Sequence, residues 1–280
     1  MAIITFYSDE TKETGQTLSV AAVATHMAIE HNYKILIIST SFNDLTLENC
    51  FWEYDKIRPV SAIKTDSKSV GLESGIEGLI KVLASNRTSN EIVKSYTRIV
   101  LRDRLDILLS PKTQSYQEYA DITKYYQEIL SVASRYYDMI FIDLSKSVPK
   151  QETTNILHAS DLVVINLTQR LKSINDFIEA RETNDFYKRK NVILAIGKYD
   201  PFSKYNSKNI TRYLKEKKGI SVIPYNTLFF EASSEGTIID LFLKIKNITD
   251  ETDRNINFIK EVKETGDKII FKLQEMQMKI

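Results

Sequence analysis

Cysteine is almost absent from this 280-residue sequence. The one thiol, Cys50, excludes an intramolecular disulfide framework and fits a reducing cytoplasm. Net charge is nearly absent too: 38 Lys and Arg stand against 37 Asp and Glu, a balance of +1. A chain this close to neutral has no global field to draw it to nucleic acid or an anionic membrane, although a local basic patch stays open. No window approaches the ~20 apolar residues needed to span a bilayer. Residues Met1-Ala2-Ile3-Ile4-Thr5-Phe6-Tyr7 carry neither a basic lead nor a long apolar run, so they read as a first strand and not as a signal peptide. Repeats and low-complexity segments are missing. His26, His31 and His158 lie far apart and form no metal-ligand spacing. Cys50 and Trp52 have no His/Asp motif beside them and read as packing.

What is present is an ordinary globular composition, 42% hydrophobic and 27% charged. The length suits one sheet with helices on both faces. Short apolar runs recur at Ile3–Tyr7, Lys34–Ser39, Leu105–Leu109, Met139–Leu144, Leu162–Leu167, Val192–Ile196 and Ser221–Ile223. Most are continuous and not alternating, as strands buried on both faces of a parallel sheet are. Candidate helices lie between them, for example Thr17–Glu30, Tyr116–Tyr136 and Ser207–Lys217. The alternation predicts an α/β fold, a doubly wound, mostly parallel sheet with helices on both faces. The polar stretch Asp55–Ser69, with Pro59, reads as a loop or insertion. Residues 1–245 are expected to form the α/β domain and residues 246–280 a C-terminal helical extension. That extension carries Val262, Ile269, Leu273, Met276 and Ile280 at gaps of 7, 4, 3 and 4, weakened near its start by Gly266. Such a stripe packs on its own domain or on a partner. Its polar face mixes acids with lysines and lacks the strongly basic character of a membrane binder.

The chemistry should sit where the first strand turns into the first helix. There the chain reads Ser8-Asp9-Glu10-Thr11-Lys12-Glu13-Thr14-Gly15-Gln16-Thr17-Leu18. A strand-to-helix loop aims backbone N–H groups and the helix dipole at one spot, a natural place for phosphate. A P-loop ends Gly-Lys-Ser/Thr; this one ends Gly15-Gln16-Thr17. The glycine permits the tight turn and the Thr17 hydroxyl suits Mg²⁺. Gln16 can donate a hydrogen bond to phosphate but brings no charge. Taken alone, the segment is equally well an ordinary strand-to-helix turn.

Downstream segments add to it. Tyr137-Asp138-Met139-Ile140-Phe141-Ile142-Asp143 resembles a Walker B strand. Ala159–Asn166 resembles the core strand that follows, and Ser173-Ile174-Asn175-Asp176 a Ser-x-x-Asp helix start. Ile223-Pro224-Tyr225-Asn226 and Glu231-Ala232-Ser233-Ser234-Glu235-Gly236 resemble an Ile-Pro…Glu-Ala-x-x-x-Gly stretch. In this order the segments resemble the ParA/MinD family of deviant-Walker P-loop ATPases, from residue 2 to about residue 245. The blocks Thr14–Leu18, Arg170–Phe177 and Pro224–Glu231 are most similar to the TadZ/CpaE-like branch, which places Tad-type pilus or secretion machinery in the cell.

The resemblance implies ATP or ADP with Mg²⁺ as cofactor. It places Lys12, Glu13, Thr14, Gly15, Gln16, Thr17 and Leu18 at the phosphates, Lys198, Pro224 and Asn226 near the base, and Thr17 and Asp143 at the metal, Asp143 through water. It further implies a homodimer, pilus or secretion assembly proteins as partners, and a cytoplasmic protein recruited to a pole or membrane-bound complex.

Departures qualify the activity. Thr11 falls at the signature lysine, and Gln16 at the Walker lysine. Ser39 and Ser41 replace the paired acids after the second strand, with Asp44 three residues on, and Leu144-Ser145-Lys146-Ser147 replaces a Pro/Gly-rich switch. Each lost charge at the phosphates costs on the order of 3 kcal/mol, about 100-fold in rate. Nucleotide binding with weak or absent hydrolysis is therefore expected, with Lys12 and Asp44 as candidates for any residual catalysis. The alternatives are an active partitioning ATPase that binds DNA non-specifically, with Lys188-Arg189-Lys190 as its basic group, and a nucleotide-free interaction module.

Overall fold

Strand residues alternate between two apolar layers, and that alternation organises the molecule. A computed structural model describes residues 1–10, 14–53, 75–85, 89, 91–189, 191–216 and 219–278. The elements run β1 (Ala2–Tyr7), α1 (Gln16–Glu30), β2 (Ile35–Ser39), α2 (Thr46–Asn49), α3 (Ile76–Ala84), β3 (Arg98–Leu101), β4 (Leu105–Leu108), α4 (Tyr116–Thr123), α5 (Tyr126–Ala133), β5 (Met139–Leu144), α6 (Lys150–Ala159), β6 (Leu162–Leu167), α7 (Leu171–Thr183), β7 (Val192–Tyr199), α8 (Ser207–Tyr213), β8 (Ser221–Pro224), α9 (Thr227–Glu235), α10 (Ile238–Ile245) and α11 (Ile256–Gln277). Among the described residues they build an eight-stranded sheet of order β3-β4-β2-β5-β1-β6-β7-β8. All pairs are parallel except β3 with β4. The expected doubly wound α/β architecture is the one observed.

Ile4, Phe6, Ile35, Ile37 and Phe141 face a layer formed by α1, α9, α10 and α11. Ile3, Leu36, Ile38, Ile140 and Ile142 face the opposite layer of α3 to α8. The period of two in a twice-covered strand leaves no polar face, so each run reads as continuously apolar. α1 is buried without a break from Ser19 to Ala28, because the sheet lies on one side and α10 and α11 on the other. Its small residues allow this, and so does Gly266 of α11: a Cβ there would lie 3.2 Å from Met27 Cγ. Phe229, Phe242 and Phe258 lock α9, α10 and α11 together, with ring centroids 4.8 to 6.1 Å apart.

Several local expectations differ from the structure. Tyr116–Tyr136 is two helices and not one. The break is a tightened turn in which Thr123 Oγ1 donates to Ala120 O and Tyr125 N to Ile122 O. Tyr119 and Tyr126, seven residues apart, both turn inward there, and their hydroxyls donate to Thr40 O and Ser39 O. The edge strand β3 was not foreseen; its side chains are half-exposed and its four residues carry little pattern. Asp55–Ser69 lies outside the described residues, as do Lys217 and Ile280. Val262, Ile269 and Leu273 are buried in α11, which lies across α1 and β8, and Met276 packs partly buried beside them.

Candidate functional site

β1 lies between β5 and β6, so the chain leaves its C-terminal end in one direction and returns on the other side. Ligands of open α/β sheets bind in the crevice this reversal creates. The described ends of the loop from β1 to α1 border that crevice and are anchored on both flanks. Asp9 accepts Tyr7 Oη at 2.7 Å and also accepts the Tyr187 hydroxyl, while Glu10 accepts the Ser173 hydroxyl from α7. On the other flank Gly15 adopts φ 66°, a left-handed conformation that begins α1. β7 presses on this turn: a Cβ on Gly197 would lie 2.2 Å from Thr14 O. The strand slips register between Ile196 and Tyr199, and Lys198 takes φ 51° to pass the loop. The first turn of α1 has no acidic residue and Gly15 supplies no side-chain cap, so among the described residues no side chain caps its N–H groups and positive dipole end.

Asp143, next to last in β5, faces this turn. Gln16 Nε2 donates to its Oδ1 at 2.6 Å and to Leu144 O at 3.1 Å, and Thr17 Oγ1 donates to its Oδ2 at 2.8 Å. Burial pushes the carboxyl up to about 6; the two donors pull it down, and Asp44 and Glu48 add to the rise. Both amide hydrogens of Gln16 are thus engaged within the protein, so here the side chain holds the loop to β5 and does not present a donor to the cavity.

These groups wall a cavity of about 770 Å³. Thr14 to Leu18, Asp143, Lys198 and Asp44 line it. Lys12 and Glu13 lie outside the described residues. Pro224 and Asn226 border a separate space of about 20 Å³ that shares Gly15, Leu18, Lys198 and Phe230 with the larger cavity. Asn226 is held at both amide atoms: its Oδ1 accepts Phe229 N and caps α9, and its Nδ2 donates to Asn255 Oδ1, both at 2.9 Å. Asp44 caps the turn into α2, its Oδ1 accepting Thr46 N at 2.8 Å. Ser39 and Ser41 hydrogen-bond each other at 3.2 Å, and Ser41 also donates to Asp44 O.

Other lining residues carry no individual role in the sequence reading: Ser8, Glu10, Thr46, Asn49 and Phe230. Glu10 shows why. Its contact with Ser173 joins residues 163 apart, and no local pattern marks it. The turn after β5 is ordered by hydroxyls: Ser145 N donates to Thr40 Oγ1 at 2.8 Å, and Ser145 and Ser147 hydroxyls bond at 2.8 Å. Glu48 ties α2 to the end of β4, accepting Ser110 N and Oγ at 2.9 and 2.8 Å; burial raises its carboxyl despite them.

The donor set fits magnesium. Thr17 Oγ1 and Asp143 are hard oxygen ligands side by side on the cavity wall, and Mg²⁺ takes one or two such groups with phosphate oxygens and water. The cations among the described lining residues, Lys146 and Lys198, share the cavity wall with three acids, Glu10, Asp44 and Asp143. An anionic ligand in such a cavity would gain from a bound divalent cation.

No protein-family model and no curated protein matches the sequence. Solved structures do. A ParA family ATPase from Chlorobium tepidum superposes with TM-score 0.68 at 16% identity over 95% of this chain and 98% of its own. The septum site-determining protein MinD from Pyrococcus horikoshii, complexed with Mg-ADP, gives 0.62 at 13% over 96% and 97%. A chain of the MinC:MinD cell division complex from Aquifex aeolicus gives 0.61 at 15% over 96% of both. Sheet order, switch-point cavity and these superpositions agree that the chain has the P-loop fold of the ParA and MinD ATPases.

Proposed function

We propose that the chain is a nucleotide-binding positioning or scaffold protein of the ParA/MinD type, which takes ATP or ADP with Mg²⁺ and hydrolyses ATP slowly or not at all. The observation that carries this reading is Gln16, whose neutral amide is bound to Asp143 and Leu144 O at the position of the Walker lysine. Thr14 to Leu18 would cradle phosphates through backbone N–H groups, and Thr17 and Asp143 would hold the metal. Bound magnesium would neutralise phosphate charge. Asp143 would orient its water shell, and Gly197 would keep the loop against β7. Phosphoryl transfer depends on charge at the phosphates and on a positioned water. Here the first is reduced by Gln16, and the second loses the acids that Ser39 and Ser41 replace.

The finer role we propose is placement of a Tad-type pilus or secretion assembly by a homodimer, on the strength of the sequence blocks Thr14–Leu18, Arg170–Phe177 and Pro224–Glu231. The chain matched from Aquifex aeolicus belongs to a MinC:MinD complex, which supports a protein partner for this fold. A DNA-binding partitioning ATPase is less favoured, because two of its candidate cations have partners: Lys188 pairs with Asp185 at 2.8 Å, and Arg189 lies on His158 and over the Phe186 ring. The test is phosphate release with and without DNA, beside Mg-ADP binding to wild type and Asp143→Ala. Asp143→Ala should weaken binding only when magnesium is present. Equal weakening without metal would remove its metal role, and DNA-stimulated turnover would overturn the scaffold reading.

A further inference from the structure

One fully buried polar side chain has no explanation in stability. Asn166 lies near the end of β6, in the run Leu162-Val163-Val164-Ile165-Asn166-Leu167. Two residues beyond Val164, it faces the layer that holds α1. Its Nδ2 donates to Ser19 Oγ at 3.3 Å, and Ser19 Oγ donates to Gly15 O at 2.9 Å. The Ser19 backbone N–H donates to the same carbonyl at 2.8 Å. Because the Ser19 hydroxyl hydrogen is used on Gly15, Asn166 must present an N–H to it, which fixes the orientation of its amide. The other amide atom, Oδ1, is buried with no hydrogen-bond partner among the described residues. An orphaned buried oxygen is destabilising, and a β-branched apolar residue would suit this strand position better. A polar group kept against stability marks a functional constraint.

We infer that Asn166 is a positioning residue for the phosphate loop, acting on it through Ser19. This rests on the cavity being a nucleotide site. In a trans peptide the C=O of Gly15 and the N–H of Gln16 point in opposite directions. Holding the Gly15 carbonyl along α1 therefore aims the Gln16 N–H out of the helix start, toward the cavity. Ser19 supplies two donors to that carbonyl, and Asn166 keeps the Ser19 hydroxyl in the rotamer that does so. β6 thereby sets the angle of a loop that belongs to β1 and α1. A purely space-filling residue would do none of this, and valine would replace it without functional loss.

The test uses Asn166→Val, Ser19→Ala and the double variant of the full chain. It reads the melting temperature, hydrogen exchange of the Ser19 amide without ligand, and the Kd of Mg-ADP. Asn166→Val should melt no lower than wild type, exchange at Ser19 at least threefold faster, and bind Mg-ADP about fivefold more weakly. Ser19→Ala should bind about as weakly, and the double variant no more weakly than the worse single one. Should Asn166→Val fail to fold, Ser19→Ala breaks the same link from the helix side and carries the same binding expectation. Unchanged exchange and affinity in Asn166→Val overturn the inference, as does full additivity in the double variant. If wild type binds no Mg-ADP, the nucleotide reading fails, while the Ser19 exchange rate still decides whether Asn166 holds the loop.

Discussion

The two ends of α1 are built on opposite principles. At its N-terminal turn Gln16, Thr17 and Ser19 bond to Asp143, Leu144 O and Gly15 O, so the helix start is held by directional polar contacts. In its second half Val23, Met27 and the neighbouring residues are enclosed by α10 and α11, with a phenylalanine cluster beside them. The difference teaches where function and stability reside on one element. Apolar packing is non-directional and additive over area, so its loss is felt as global unfolding. The polar end contributes little net stability per bond but fixes atoms in direction, so its loss should be felt by a ligand.

The sharpest way to break this contrast begins at the packed end. Phe242 is fully buried between Phe229 and Phe258. Phe242→Ala should cost about 3–5 kcal/mol in urea unfolding, with Kd for Mg-ADP unchanged wherever the protein remains folded. At the polar end Gly197→Ala should do the reverse. Its Cβ would meet Thr14 O at 2.2 Å, so the loop backbone must move. Mg-ADP affinity should fall at least tenfold, roughly 1.4 kcal/mol, with a smaller loss in stability. Unchanged affinity would show that β7 does not shape the loop.

A third test divides the helix by pH. Burial beside Phe242 holds the His26 imidazole below its ordinary value, against the pull of Glu30 in the opposite direction. A histidine whose folded-state pKa is depressed contributes its full stability above its unfolded value of about 6.5. That contribution is lost as pH falls toward the folded value. The buried carboxyls of Asp143 and Glu48, held above their ordinary values, act in the opposite direction as pH falls, so the test is the difference between proteins: below about pH 6.5 the urea midpoint of wild type should fall relative to that of His26→Leu. The smallest effect is expected away from both ends: Lys172 and Asp176 pair at 2.5 Å on an exposed face of α7, and Lys172→Ala should leave the urea midpoint unchanged, because solvent screens an exposed pair.

The fold was legible where burial on both faces turns a strand into an unbroken apolar run. β5 and β6 were read with the observed limits, Met139–Leu144 and Leu162–Leu167. β3 was not, because an edge strand has only one side to bury. The break at Lys124 and Tyr125 escaped because apolar spacing continues through it. At the candidate site, the loop Thr14–Leu18 and Asp143 were marked by motif resemblance, and the structure brings Thr17 and Asp143 into contact. Glu10 with Ser173 and Asn166 with Ser19 were not legible, since each pair is joined only by the tertiary fold. The family resemblance puts Asn226 near a base, whereas its place as the cap of α9 depends on a backbone conformation that the Pro-Tyr-Asn triplet does not spell out.

The central claim is that this is a phosphate loop with its cationic side chain replaced, and a calorimetric titration of wild type and Gln16→Lys with Mg-ATP tests it most directly. The account predicts saturable binding by wild type and binding about tenfold tighter by Gln16→Lys, roughly 1.4 kcal/mol, because the new ammonium reaches phosphates that the loop already cradles. An unchanged affinity in Gln16→Lys, or no heat of binding from either protein, would contradict it.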